Sequence, residues 1–267
     1  MKKFLALALA LVMVMALAAC GGNEPTQAPT QAPTQAPTQA PTQAPTAAPT
    51  EAPTAAPTEE PTEAPVTVMT YDEYMAAEMD APVVVEFYVQ ATQSWYKDKI
   101  VVYGQDENGG YLAYNMTCSE EDAAKLVPGT KIRVTGYKGQ YEGEIEIIDG
   151  TFEFVEAEAW IAEPVDVTAL LGTDDLIKHQ NEKVAFKGLT IVEISYKNGE
   201  PGDDIYVTVS YNEKNYSFCV ERYLTDPDTD VYKAFADLKA GDVVNMEGFL
   251  YWYQGVNTHI TSVTPAN

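Results

Sequence analysis

From residue 66 onward, apolar and polar positions alternate in short β-rich runs broken by turn residues. The runs at 83–89, 99–105, 111–116, 131–137 and 143–148 predict five strands, and 152–155 extends the last of them. Asn108-Gly109 suits a tight hairpin turn, because both residues tolerate positive φ. Thr70-Tyr71-Asp72-Glu73 has the form of a capping box and predicts a short helix to about residue 79. Ser119-Glu120-Glu121-Asp122 places acid in the first turn of a helix ending near 126. The same order then returns. A helix is predicted at 173–179, strands at 184–194, 205–211 and 216–220, a helix at 229–238, and strands at 243–250 and 256–263. Each copy reads β-β-β-α-β-β.

Spacing supports a duplication. Leu126 stands three before Gly129, as Leu238 stands before Gly241. Gly136 and Gly248 follow seven later, then Tyr137 and Phe249, Tyr141 and Tyr253, Gly143 and Gly255. Five matched offsets at a constant separation of 112 residues define a repeat. Strand, hairpin, helix, hairpin is the element order of the OB-fold, a five-stranded Greek-key barrel with a helix between strands three and four. The predicted fold class is therefore all-β with short helices, as two tandem five-stranded OB barrels at 66–162 and 163–267. The glycine and tyrosine pattern resembles the small OB modules of exported bacterial lipoproteins, related to those called tRNA-anticodon-like. That resemblance covers 66–267 and implies a fold more than an activity.

The region before residue 66 follows other rules. Lys2 and Lys3 precede an apolar run over 4–17, too short to span a membrane comfortably. It ends in Leu17-Ala18-Ala19-Cys20, followed by Gly21-Gly22. This is similar to the lipobox of bacterial lipoproteins. The resemblance implies a signal peptide at 1–20, cleavage before Cys20, lipidation of Cys20, and a lipid-anchored, extracytoplasmic protein on the outer face of the cell membrane. Ten tetrads of the type Pro-Thr-Gln-Ala fill 25–64. A proline every fourth residue forbids helix and sheet, so 21–65 is expected to be a disordered, extended linker.

Charge narrows the partners. Residues 66–267 hold 14 Lys and Arg against 35 Asp and Glu, a net of −21. Nucleic-acid binders gain affinity by neutralising phosphates, so this acidity argues against nucleic acid as a partner. A basic strip would have to come from Lys97, Lys99, Lys131, Arg133 and Lys138. Cys118 and Cys219 fall near the ends of the two third strands; they read as buried free thiols, with a disulfide in an exported chain as the alternative.

No catalytic constellation emerges. GxSxG, HExxH and phosphate-loop motifs are missing, and the two histidines, His179 and His259, stand 80 residues apart. An enzyme is not expected, nor any cofactor. Asp226, Asp228 and Asp230 alternate as at the start of a calcium loop, but Val231 replaces the required Gly; a helix N-cap at Asp228 or Thr229 explains the segment more simply. The binding candidates are loop aromatics. Trp95, Tyr96, Tyr196, Tyr251 and Trp252 offer flat platforms where OB loops hold ligands. Tyr251 and Trp252 stand out because the first copy has Gly139 and Gln140 there. The sequence thus suggests a non-enzymatic surface module for a glycan, peptide or small ligand. Docking of a partner protein is the alternative, and single-stranded nucleic acid a further one.

Overall fold

The computed structural model describes residues 67–266. The signal segment, Cys20 and the proline-rich repeats lie outside these residues. Strands β1 (Pro82–Thr92), β2 (Lys99–Gln105), β3 (Gly110–Thr117), β4 (Lys131–Tyr141) and β5 (Glu144–Phe154) form a closed barrel in the order β1-β2-β3-β5-β4. Antiparallel pairing of β1 with β4 completes the ring. Helix α1 (Tyr71–Ala76) precedes β1, and α2 (Glu120–Ala123) lies between β3 and β4. This is the OB topology. The capping box is present: Thr70 accepts from the Glu73 backbone, and the Glu73 carboxylate accepts from Thr70 N at 2.8 Å.

The second sheet repeats the plan. A two-residue strand β6 (Val165–Asp166) pairs in parallel with β7 (Lys183–Tyr196). Then follow β8 (Ile205–Tyr211), β9 (Lys214–Val220), β10 (Val243–Phe249) and β11 (His259–Pro265). Their order runs β7-β8-β9-β11-β10, and pairing of β10 with β7 closes it. Equivalent residues repeat the same backbone detail. Asp80 and Asn181 both take positive φ, at 63° and 67°. Each donates its N–H to a carbonyl of the fourth strand or its end, Lys138 and Leu250 respectively.

Two helical expectations needed correction. The 173–179 helix is instead a pair of 3-10 turns, Thr168–Leu170 and Leu176–His179, separated by Gly172 at φ +80°. The 229–238 helix is shorter, α4 (Asp230–Ala234), and an unforeseen turn, α3 (Arg222–Thr225), precedes it. Asp226, at φ 37°, and Pro227 interrupt the two.

Each barrel has its own core. The first centres on Val85, Phe87, Tyr111, Ile132 and Val134, the second on Phe186, Val207, Phe218, Phe235 and Met246. A third cluster joins them. Val101 and Tyr103 of β2 and Leu112 of β3 pack on Phe249, with Leu224 and Tyr251 against them. The outer face of β2 and β3, where an OB barrel ordinarily meets a ligand, is therefore buried here by the second barrel.

Candidate functional site

Burial of that face leaves its edge open. The turn between β1 and β2 projects beside it, with Lys97 and Asp98 both at positive φ and Tyr96 bridged to Lys99. Trp95 is half-buried; its indole N–H donates to Cys118 O at 2.8 Å, which fixes the ring. Tyr96 is 65% exposed, and the Lys97 ammonium lies 4.8 Å from its ring centre. Tyr114 and Asn115, exposed on β3, continue the wall. The opposite wall comes from the second barrel. There α3 presents Tyr223, 54% exposed, with the Arg222 guanidinium 5.3 Å from its ring centre. Ser94 ties the walls together, donating from both its N–H (2.7 Å) and its hydroxyl (3.2 Å) to Tyr223 O.

These residues enclose an open cleft of about 820 Å³, lined by Trp95, Tyr96, Lys97, Lys99, Tyr114 and Tyr223, with Glu221 among its other walls. A second hollow of about 500 Å³ shares Trp95 and Tyr223 and runs on to Glu120 and Asp226. Together they make a groove with a basic end and an acidic end. Burial pushes the Glu221 carboxyl up; its Oε2 accepts from Leu224 N at 2.8 Å and so caps α3. Lys97, Lys99 and Arg222 have no carboxylate partner among the described residues; the Lys99 ammonium donates to Thr117 Oγ1 at 3.0 Å.

The other basic candidates are spent inside the fold. Lys131 and Arg133 both pair with Glu86, at 2.9 and 2.8 Å. Lys138 is buried and donates to Met75 O and Ala77 O, at 2.7 and 2.9 Å.

Of the five aromatic candidates, the structure brings only Trp95 and Tyr96 into this groove. Tyr196 lines a separate apolar hollow with Pro201, Pro227 and Tyr232. Tyr251 stacks on His259 at 4.3 Å in the joint between the barrels. Trp252 packs on the second core and against Gly143, and its backbone N–H donates to Glu144 Oε2 at 2.6 Å. The positions where the two copies differ thus build the joint. Asp226, Asp228 and Asp230 form turn structure: Asp228 N donates to Asp226 Oδ1 at 2.9 Å, and Thr229 is the N-cap of α4. They are not part of any metal-holding cluster among the described residues. Sequence reasoning missed Tyr114, Arg222 and Tyr223. The pairing of Arg222-Tyr223 with the β1–β2 turn depends on the docking of two barrels, which no local pattern encodes. Cys118 and Cys219 are buried and unpaired with each other.

No protein-family model matches the chain, and no curated protein matches it. Similar solved structures are OB-fold proteins. One, a murine DNA-binding protein bound with double-stranded DNA, has a TM-score of 0.34 and 11% identity, covering 70% of this chain and 100% of that one. A p202 HIN domain with a 12-mer double-stranded DNA has 0.31 and 12%, covering 69% and 89%. A Replication Protein A heterotrimer bound to single-stranded DNA has 0.29 and 11%, covering 72% and 51%. Two sequence expectations are corrected here: the glycan, peptide or small-ligand module, and the reading of acidity as making a nucleic-acid partner unlikely. The similar proteins are described with DNA. Identities this low carry fold rather than function. Within this chain, net charge averages over the whole surface, and Lys97 and Lys99 stand together at one aromatic groove.

Proposed function

We propose that this chain is a non-enzymatic protein that binds single-stranded nucleic acid in the groove between the β1–β2 turn and α3. We further propose that it is exported and lipid-anchored through Cys20. One observation carries the binding reading: Trp95, Tyr96, Tyr114 and Tyr223 line one open cleft together with Lys97 and Lys99. Aromatic faces stack on bases of any sequence, at roughly 1–3 kcal/mol per base. Bases must be unpaired to reach such faces, which selects single strands. Two cations predict a shallow salt dependence, with a slope of log K against log salt of about −1.4. Stacking rather than phosphate neutralisation supplies most of the affinity, consistent with the acidity elsewhere.

The test is fluorescence anisotropy of a labelled oligothymidine titrated with the full chain across a salt series. Binding with that shallow slope is expected. Trp95→Ala should weaken it at least about five-fold. Lys97→Ala with Lys99→Ala should flatten the slope by about 1.4. Lack of binding at low salt sinks the reading.

A further inference from the structure

Two hairpins turn on an Asn-Gly pair: Asn108-Gly109 between β2 and β3, and Asn198-Gly199 between β7 and β8. Asn-Gly is chemically labile, because glycine has no side chain to shield its backbone nitrogen from the asparagine amide carbon. The two pairs are alike in sequence and opposite in surroundings.

Gly109 is buried. Its N–H donates to Asp106 Oδ1 at 3.0 Å, the Asn108 N–H donates to the same oxygen at 2.7 Å, and Asp106 N closes the turn onto Gly109 O at 3.1 Å. The Tyr71 ring lies so close that a Cβ on Gly109 would come within 2.3 Å of it, and Tyr71 packs in turn on Tyr111. This turn cannot move without disturbing the first core. Asn198 and Gly199 are exposed, in the loop at 197–204, and nothing lies within 4 Å of where a Gly199 Cβ would stand. The Gly199 N–H donates to Tyr196 O at 2.9 Å, and Asn198 Nδ2 donates to Asp203 Oδ2 at 2.6 Å. Such bonds in an exposed loop open at small free-energy cost. A carboxylate stands beside each pair, Asp106 or Asp203, so burial and packing are what separate them.

We propose that Asn198 is a site of spontaneous deamidation in the folded protein and that Asn108 is protected. The Gly199 nitrogen gives its proton to hydroxide and attacks Cγ of Asn198. The N–C bond forms as the Cγ–Nδ2 bond breaks, and Nδ2 leaves as ammonia with a proton returned by water. A second water opens the cyclic imide at either carbonyl, giving aspartate or isoaspartate, with nothing oxidised or reduced. The product carries a carboxylate where Nδ2 donated to Asp203, so an attraction becomes a repulsion. Asp203 O accepts from the Tyr232 hydroxyl at 2.6 Å, and Gly202 N donates to that hydroxyl at 2.8 Å. Conversion at 198 therefore loosens the loop from α4.

The experiment holds the full chain at mildly alkaline pH, with and without denaturing urea, and follows both asparagines by peptide mass mapping and isoaspartate content. In the native protein Asn198 should convert at least about ten-fold faster than Asn108, since an exposed loop opens far more readily than a packed turn. In urea the two rates should converge. Equal rates in the native protein, or an Asn198 that persists there while both convert in urea, would overturn the proposal. Asn198→Asp should speed proteolytic cleavage of the loop at least about three-fold; an unchanged rate would overturn the loosening.

Discussion

At the scale of residues, the informative side chains are those that differ between the two copies, but they inform about assembly. Trp252 has Gln140 as its counterpart, and the contrast suggests a functional aromatic. In the fold its indole fills space over Gly143, where even a Cβ would come within 2.7 Å of Cδ1. Trp252→Ala should therefore act on stability, lowering the free energy of unfolding in urea by about 3 kcal/mol. An unchanged urea midpoint would return Trp252 to the list of ligand contacts. Trp95 shows the opposite case. Its position in the β1–β2 turn is legible because an OB turn at that point borders the ligand face. Tyr223 was not legible, because nothing in Arg222-Tyr223-Leu224 signals that a distant serine, Ser94, will fasten it.

At the scale of elements, the strands were largely legible. Alternation fixes which face is buried, and predicted β2 and β8 coincide with the observed Lys99–Gln105 and Ile205–Tyr211. The short helical segments were harder to read. Between β9 and β10, the apolar spacing fits one helix, yet Asp226 and Pro227 split it and leave α3 free to carry Tyr223 into the groove. The joint depends on one glycine at the start of β3. A Cβ on Gly110 would lie 2.2 Å from the Asn181 carbonyl carbon and 2.3 Å from Glu182 N. Both are backbone atoms, so the second barrel itself must shift. Gly110→Ala should leave each barrel folded and loosen their contact. The readout is limited proteolysis in the connecting segment at 155–164, where Trp160 packs on Tyr88 and Ala162 N donates to Gln90 Oε1. Cleavage should quicken in the variant; an unchanged rate would show that the joint yields without cost.

At the scale of the whole molecule, acidity is a solubility property and says little about the groove. The joint holds two buried groups that pull the response to pH in opposite directions. His259 is buried, shares a hydrogen bond between its Nδ1 and the Tyr103 hydroxyl at 2.6 Å, and stacks on Tyr251. Burial lowers its pKa from 6.5 to about 4. Stability from its neutral form is present above about pH 6.5 and lost as pH falls to about 4. Glu144 is also buried, with Oε2 on Trp252 N and Oε1 unpartnered beside the Asn181 side chain, whose own Oδ1 is unpartnered. Burial raises its pKa from 4.5 to about 8, against the Trp252 and Asn181 contacts, and Glu146 adds to the rise. Stability from its protonated form is present below about pH 4.5 and lost as pH rises to about 8. Each slope is at most about 1.4 kcal/mol per pH unit, so the two largely cancel between about pH 4.5 and 6.5. Single variants should separate them. In His259→Gln, whose amide can still hydrogen-bond the Tyr103 hydroxyl, the remaining Glu144 contribution should make stability fall from about pH 4.5 to 8. In Glu144→Gln, whose amide can serve both Trp252 N and Asn181 Oδ1, stability should rise from about pH 4 to 6.5 and then hold level. The measurement is urea unfolding at half-unit pH steps for wild type and both variants; wild type minus variant cancels the exposed carboxylates and isolates the removed group, a difference that should rise from about pH 4 to 6.5 for His259 and fall from about pH 4.5 to 8 for Glu144. Parallel curves for all three proteins would mean that neither group changes protonation on unfolding, and that the joint does not sense pH.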